Sequence, residues 1–134
     1  MTTNLGVVRL VDANLNRLKE GIRVVEDIAR YHDNSLQISS QLKALRHQCK
    51  LDFLEQLLQS RDITNDVLKA TTKSEQQRDS LISLLIANYK RAQESARVLE
   101  EMLKTIDTNM SQTFKNIRYT LYGLEKEHLL LHLN

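Results

Sequence analysis

Leu10–Arg30 reads LVDANLNRLKEGIRVVEDIAR and Leu84–Lys104 reads LLIANYKRAQESARVLEEMLK; the fold follows from laying one over the other. At an offset of 74, Leu10, Ala13, Asn14, Arg17, Glu20, Arg23, Val24 and Glu26 recur as Leu84, Ala87, Asn88, Arg91, Glu94, Arg97, Val98 and Glu100. Eight of the 21 aligned positions are identical, where ordinary residue frequencies give about one or two. Both copies are periodic. Apolar or small residues fall at 11, 15, 18, 22, 25 and 29, in steps of four and three that trace one stripe along a helix. The second copy carries the stripe as Leu85, Tyr89, Ala92, Ala96, Leu99 and Leu103.

The first of these helices is expected from about Val8 to Tyr31, stopped by the turn chemistry of His32-Asp33-Asn34-Ser35. Ser35 caps a second helix through Leu42, Leu45, Leu51, Leu54 and Leu58, ending near Ser60. Residues 61–73 lack a period and read as a loop. Ser74 with Gln77 reads as a capping box that opens the third helix, which runs to about Ile106. Asp107, Asn109 and Ser111 mark the next break, and a fourth helix carries Phe114, Ile117, Leu121 and Leu124. The second and fourth helices share a weaker echo, Lys43-Ala44-Leu45-Arg46 against Lys115-Asn116-Ile117-Arg118. The expectation is an all-α chain: a four-helix bundle from tandem duplication of a helical hairpin, with approximate two-fold symmetry. It is read as a single helical domain over residues 1–134, with repeats at about 8–60 and 74–130. Two repeats are too few for a solenoid.

Composition narrows the function classes. There is no proline, and the glycines are Gly6, Gly21 and Gly123, which fits long helices and leaves no glycine-rich phosphate loop or dinucleotide fold. Lys and Arg number 19 against 17 for Asp and Glu, too even a balance for a nucleic-acid or membrane partner. The lone Cys49 forbids an intrachain disulfide and is expected to be packed and inert in a reducing compartment. With no signal-peptide pattern and no apolar run near the roughly 20 residues of a membrane span, a cytoplasmic location is expected.

The two copies also act as a filter for importance. Surface charges drift most freely, yet the shared set is largely polar, in the pattern A-N-x-x-R-x-x-E-x-x-R-V-x-E. At about 100° per residue, Asn14 and Glu26 each lie about 60° from the centre of the stripe. They and their copies Asn88 and Glu100 should border the core and be hydrogen-bonded or paired there. One reading is a structural network in which Arg and Glu pair at i,i+3 and across the pseudo-two-fold. The other is a symmetric cavity whose arginines and carboxylates face a charged ligand. The loop Arg61-Asp62-Ile63-Thr64-Asn65-Asp66 reads either as a solvated loop or as two carboxylates holding Mg²⁺ beside a phosphate. Glu125-x-x-His128 is half of a di-iron helical signature and lacks its second half. His128 and His132, one turn apart, lack the further ligands a metal needs.

Leu10-Val11-Asp12-Ala13-Asn14-Leu15-Asn16-Arg17 and Glu20-Gly21-Ile22-Arg23-Val24-Val25-Glu26-Asp27 resemble the opening of a helical domain often fused ahead of thiamine-phosphate synthase and also found alone. The resemblance continues through Leu42–Arg46, Arg61-Asp62 with Asp66-Val67, Ala87–Arg91, Arg97–Glu101, Arg118-Tyr119, Tyr122 and Leu124-Glu125, from about residue 8 to 126. This family is similar to, and known as, an alternative hydroxymethylpyrimidine-phosphate kinase. The resemblance implies transfer of the γ-phosphoryl of ATP to 4-amino-5-hydroxymethyl-2-methylpyrimidine phosphate, with Mg²⁺, giving the pyrophosphate that thiamine-phosphate synthase consumes. The family loop usually reads R-D-T-x-x-D-V-G; here Ile63 replaces the threonine and Leu68 the glycine.

On that reading Arg17, Arg91, Arg23, Arg97 and Arg61 bind phosphates, and Asn14 and Asn88 recognise the pyrimidine edge or fix those arginines. Asp62, Asp66, Glu20 and Glu94 are candidates for Mg²⁺ and for orienting the reaction, with Asp62 and Asp66 as the metal pair. Arg46 and Arg118 complete the phosphate site or bond helix ends. Two readings compete: a non-catalytic module that binds a thiamine precursor and partners the synthase, and a dimerising bundle whose polar repeats only set register.

Overall fold

The computed structural model describes residues 4–70 and 80–134. Within them the chain folds as α1 (Leu5–Asp27), a π-helical turn (Ile28–His32), α2 (Leu36–Gln48), α3 (Leu54–Ser60), α4 (Leu81–Leu103) and α5 (Thr108–Leu133). Helix starts have local causes. Asn4 Oδ1 accepts from the Gly6 N–H at 2.7 Å, which starts α1 three residues before the expected Val8. Ser35 caps α2 through Ile38, as expected, and Asp107 caps α5 through Asn109 at 2.8 Å. The helix expected to open at Ser74 is seen from Leu81, capped by Ser80 and Ser83 in a reciprocal pair; Ser74 and Gln77 lie outside the described residues. It ends at Leu103 rather than Ile106, in a turn where Thr105 Oγ1 donates to the Met102 carbonyl.

The expected second helix is two helices. The backbone leaves helical geometry from Cys49 to Phe53 and resumes as α3. Both Cys49 and Phe53 stay buried across this bend, so the apolar row continues although the helix does not. No such break interrupts α5, the counterpart in the second repeat.

All six residues of each predicted stripe are buried. α1 packs on α4, and each carries its own partners: α2 and α3 lie against α1, α5 lies against α4, and α2 also meets α5. This is the duplicated hairpin closed into a helical bundle. No helix among the described residues is long and apolar enough to cross a membrane.

The central pair approaches closely at Gly21. A Cβ there would meet the Asn88 carbonyl oxygen at 3.1 Å and the Ala92 Cβ at 3.3 Å. Gly21→Val should therefore destabilise the protein by about 1–3 kcal/mol through overpacking, read from denaturant unfolding. Gly21→Ala should cost less, because alanine recovers up to about 1 kcal/mol of helix propensity.

Cys49 is 1% exposed, and burial pushes its thiol up to about 12. An aromatic disulfide reagent should label it more than about 100-fold slower in native protein than in urea. Rapid labelling of the native state would contradict this packing.

Candidate functional site

The buried members of the repeated set form the same contacts in each half. Asn14 Nδ2 donates to the Leu10 carbonyl at 2.9 Å and Asn88 Nδ2 to the Leu84 carbonyl at 2.8 Å. Glu26 accepts from Arg46 Nε at 2.6 Å and from its terminal nitrogen at 3.2 Å. Glu100 accepts from Arg118 Nε at 3.0 Å and its other nitrogen at 2.9 Å. These pairs tie α1 to α2 and α4 to α5, helix to helix within each hairpin, rather than joining i,i+3 neighbours or crossing the pseudo-two-fold. Same-helix pairs are longer or lie at the surface: Arg23 with Asp27 at 3.3 Å, and Glu101 with Arg97 at 3.3 Å and Lys104 at 2.9 Å. The expected i,i+3 pairing is present only as a 3.7 Å contact from exposed Arg97 to the buried Glu100. The guanidiniums of Arg46 and Arg118 are thus committed to interior carboxylates. Arg46 is held charged chiefly by its hydrogen bond to Glu26, and Arg118 by Tyr122 first and then Glu100, against the opposing effect of burial.

The exposed members behave differently. Gly21 packs against Asn88 and Ala92 while Asn14 shares a groove with Ser95, so α1 and α4 run antiparallel. At the offset of 74 this puts Arg17 and Arg91 near the pseudo-two-fold. They line one groove of about 560 Å³, together with Asn14, Glu20, Glu94 and Ser95. Among the described residues, none of Arg17, Arg91, Glu20 and Glu94 forms an ion pair or side-chain hydrogen bond.

Two neighbouring depressions extend this groove into a trough. One of about 670 Å³ shares Asn14, Arg17 and Glu20 and adds Arg9, Asp12, Arg61, Asp62, Asp66 and Lys69. The other, about 440 Å³, shares Glu94 and adds Lys90, Gln93, Arg97, Arg118 and Tyr122. Asn88 and Arg23 line none of these three.

The loop is built from its own polar groups. Arg61 closes a two-point ion pair with Asp12, both bonds 2.8 Å, which anchors the end of α3 to α1. Asp62 accepts from the Thr64 and Asn65 amides with one oxygen and from the Asn65 carboxamide with the other. These donors hold its carboxyl below the usual range, the Asn65 side chain contributing most. Asp66 accepts from the Leu68 amide at 3.0 Å. The positive-φ non-glycine residue among those described is Asn34, so Leu68 occupies the position of the family's glycine without a left-handed backbone.

Comparison of the repeats does not find Arg9 or Lys69, since Arg9 corresponds to Ser83 and Lys69 lies in the unrepeated loop. Lys90 and Tyr122 are missed for the same reason, having Asn16 and Lys50 as counterparts. A second polar cluster was also hidden. Glu125 is engaged by Lys90 at 3.2 Å and Gln93 at 2.9 Å, so Glu125 and His128 face different partners. His128 is fully buried between the Tyr89 hydroxyl at 2.8 Å and Asp33 at 2.7 Å. Burial opposes ionisation of Asp33, but hydrogen bonds from His32, His132 and His128 outweigh it and bring the carboxyl down to about 2.

The chain spans about a third of the length of the curated thiamine-phosphate synthases it matches. That of Nostoc sp. is 39% identical over 120 residues, covering 89% of this chain and 34% of its own length. That of Thermosynechococcus vestitus is 38% identical over 119 residues, 88% of this chain and 34% of its own. The protein of Rhodopirellula baltica is 38% identical over 126 residues, 90% of this chain and 34% of its own. No solved structure matches the chain. The model of the ThiD2 family matches residues 9–127, nearly the whole duplicated unit, and the chain belongs to that family.

Proposed function

We propose that this chain transfers the γ-phosphoryl group of ATP to 4-amino-5-hydroxymethyl-2-methylpyrimidine phosphate, forming the corresponding pyrophosphate. Its place in thiamine biosynthesis rests on the ThiD2 family and on the thiamine-phosphate synthases that share this helical unit. The carrying observation is the pair Arg17 and Arg91. Two like charges on one groove, with no carboxylate bound to either among the described residues, favour a ligand that brings several negative charges.

The chemistry needs little more than positioning. The acceptor is a phosphate oxygen, already largely ionised at neutral pH with a second pKa of about 6. It attacks the γ-phosphorus, the bond from that phosphorus to the β,γ-bridging oxygen breaks, and ADP leaves. No proton has to be removed from the nucleophile, so arginines matter more than a general base. Arg17 and Arg91 would hold the phosphates near the pseudo-two-fold, assisted by Arg9 and Lys69 at the loop end. Arg97 and Lys90 would serve at the opposite end. Arg61 acts through its pair with Asp12 by fixing the loop. With its Nδ2 already bonded, Asn14 keeps a carboxamide oxygen, an acceptor suited to the 4-amino group of the pyrimidine.

The oxygen-only donor set of the trough fits Mg²⁺. Glu20, which lines both the groove and the loop depression, would hold it with one neighbouring carboxylate, Glu94 in the groove or Asp66 in the loop depression. Asp62, whose two oxygens already serve the loop, would shape the site beside it. Bound there, Mg²⁺ would neutralise phosphate charge and align the two phosphates. Carboxylates among the arginines also fit a ligand that arrives with its own cation.

A coupled assay with ATP, Mg²⁺ and the pyrimidine monophosphate, detecting ADP and the pyrophosphate, tests the proposal. Turnover that stops on chelation of Mg²⁺ is expected. Saturable binding without turnover would instead favour the non-catalytic module beside a thiamine-phosphate synthase. Absence of binding would leave the bundle as a structural element.

A further inference from the structure

We propose that His32, Asp33 and His132 form a binding site for a divalent transition-metal ion of the zinc type, stapling the end of α5 to the turn after α1. Taken alone, His128 and His132 lack further ligands, but the fold supplies them from the other end of the chain. His32 Nδ1 lies 2.8 Å from Asp33 Oδ1, and His132 Nε2 lies 2.9 Å from the same oxygen. The three prospective ligand atoms all fall within 4.8 Å of one another.

Neighbouring ligand atoms on a tetrahedral zinc ion sit about 3.3 Å apart, from bond lengths of about 2.0 Å. The two edges to Asp33 have to open by a few tenths of an ångström and the His32–His132 edge, within 4.8 Å, has to settle at the same spacing, an adjustment open to His32 with its side chain 58% exposed. Both imidazoles can be neutral and present a lone pair to the ion by placing their proton on the other ring nitrogen. The mixed nitrogen and oxygen set suits zinc, cobalt or nickel rather than magnesium.

The surroundings hold the carboxylate as outer partners hold metal ligands. Asp33 Oδ2 is fixed by His128 Nε2 at 2.7 Å, and His128 Nδ1 is fixed by the Tyr89 hydroxyl at 2.8 Å. His128 is entirely buried, so this support is rigid. The backbone is specialised at the same place. The Asp33 amide bonds to the Ile28 carbonyl five residues back, at 2.9 Å, and Asn34 follows with φ 52°. π-turns of this kind recur at functional sites. At the offset of 74 the second repeat has Ile106 and Asp107 opposite His32 and Asp33 and carries no equivalent cluster among its described residues, so the duplicated fold does not itself require one. None of the three ligands lines the trough assigned to substrate.

The test uses the full, untagged chain stripped with chelator, titrated with ZnCl₂ in calorimetry and with CoCl₂ in visible absorption, without ATP or pyrimidine. One equivalent should bind in the micromolar range or tighter, with cobalt bands of tetrahedral intensity. Melting temperature should rise by about 5–10 °C at saturating zinc. His32→Ala and His132→Ala should each weaken binding at least 10-fold and remove most of the rise. Changes at His47 and Cys49 should leave it intact. Absence of binding at 100-fold molar excess of zinc, or unchanged binding in the double His32→Ala/His132→Ala variant, would overturn the proposal. Because neither readout involves phosphoryl transfer, failure here and failure of the kinase reading remain separable.

Discussion

Arg91→Glu is expected to weaken binding of the pyrimidine phosphate at least 100-fold and to abolish turnover, while shifting the melting temperature by no more than about 2 °C. The small stability effect follows from position. Arg91 is exposed and makes no ion pair among the described residues, so its removal leaves no carboxylate stranded. The large binding effect follows from charge. A charge-assisted hydrogen bond contributes about 1.5–3 kcal/mol, and the introduced carboxylate repels the phosphate besides. Arg17→Glu should match it, since the pseudo-two-fold puts both arginines on the same groove, and Arg17 also borders the loop depression. Arg23→Glu, outside the trough and paired with Asp27, should do far less. Calorimetric titration of each variant is the check; Arg91→Glu binding within threefold of wild type would remove the groove from consideration.

Arg118→Ala is expected to act in the opposite way, costing about 3–5 kcal/mol of stability by leaving Glu100 buried with only its longer, 3.7 Å contact to the exposed Arg97. The side chains of Arg118 and Glu100 are only 10% and 7% exposed, so water cannot readily replace the lost contact. A double replacement, Glu100→Leu with Arg118→Met, should recover most of that loss, because a packed apolar pair often equals a buried ion pair. Arg46→Ala should follow the same pattern less steeply, its guanidinium being 19% exposed beside Glu26. Equilibrium unfolding separates these cases. An Arg118→Ala protein of normal stability would show that Glu100 does not depend on this arginine.

The contrast between Arg91 and Arg118 marks the limit of what the sequence alone reveals. Comparing the repeats selects both, because both recur. Deciding between a ligand role and a structural one requires knowing which helix faces which, and helical arithmetic reports only on neighbours along one helix. Arg46 and Glu26 are 20 residues apart, so no i,i+3 rule could pair them. The burial of Asn14, Glu26, Asn88 and Glu100 was legible, since it depends only on their angle to the apolar stripe. The bend from Cys49 to Phe53 was not. The row read from the sequence, Leu42, Leu45, Leu51, Leu54 and Leu58, takes the wrong residues past the bend: Leu54 and Leu58 are exposed, while Cys49, Phe53 and Leu57 are buried. These three fall within about 60° of one mean direction with Leu42 and Leu45 on an ideal helix and so give no sign of a bend. Asp33 and its histidines were hidden in another way. His128 and His132 lie 95 and 99 residues further along, and the turn that aims Asp33 at them departs from regular helical spacing.

The most direct test of the substrate groove is a titration of ¹⁵N-arginine-labelled protein with the pyrimidine monophosphate and Mg²⁺-ADP, following the Nε–Hε resonances of individually assigned arginines. Arg17 and Arg91 should shift and become protected from exchange, while Arg46 and Arg118, already bonded to Glu26 and Glu100, should scarcely move. Saturation that leaves Arg17 and Arg91 unchanged would contradict the assignment of the groove.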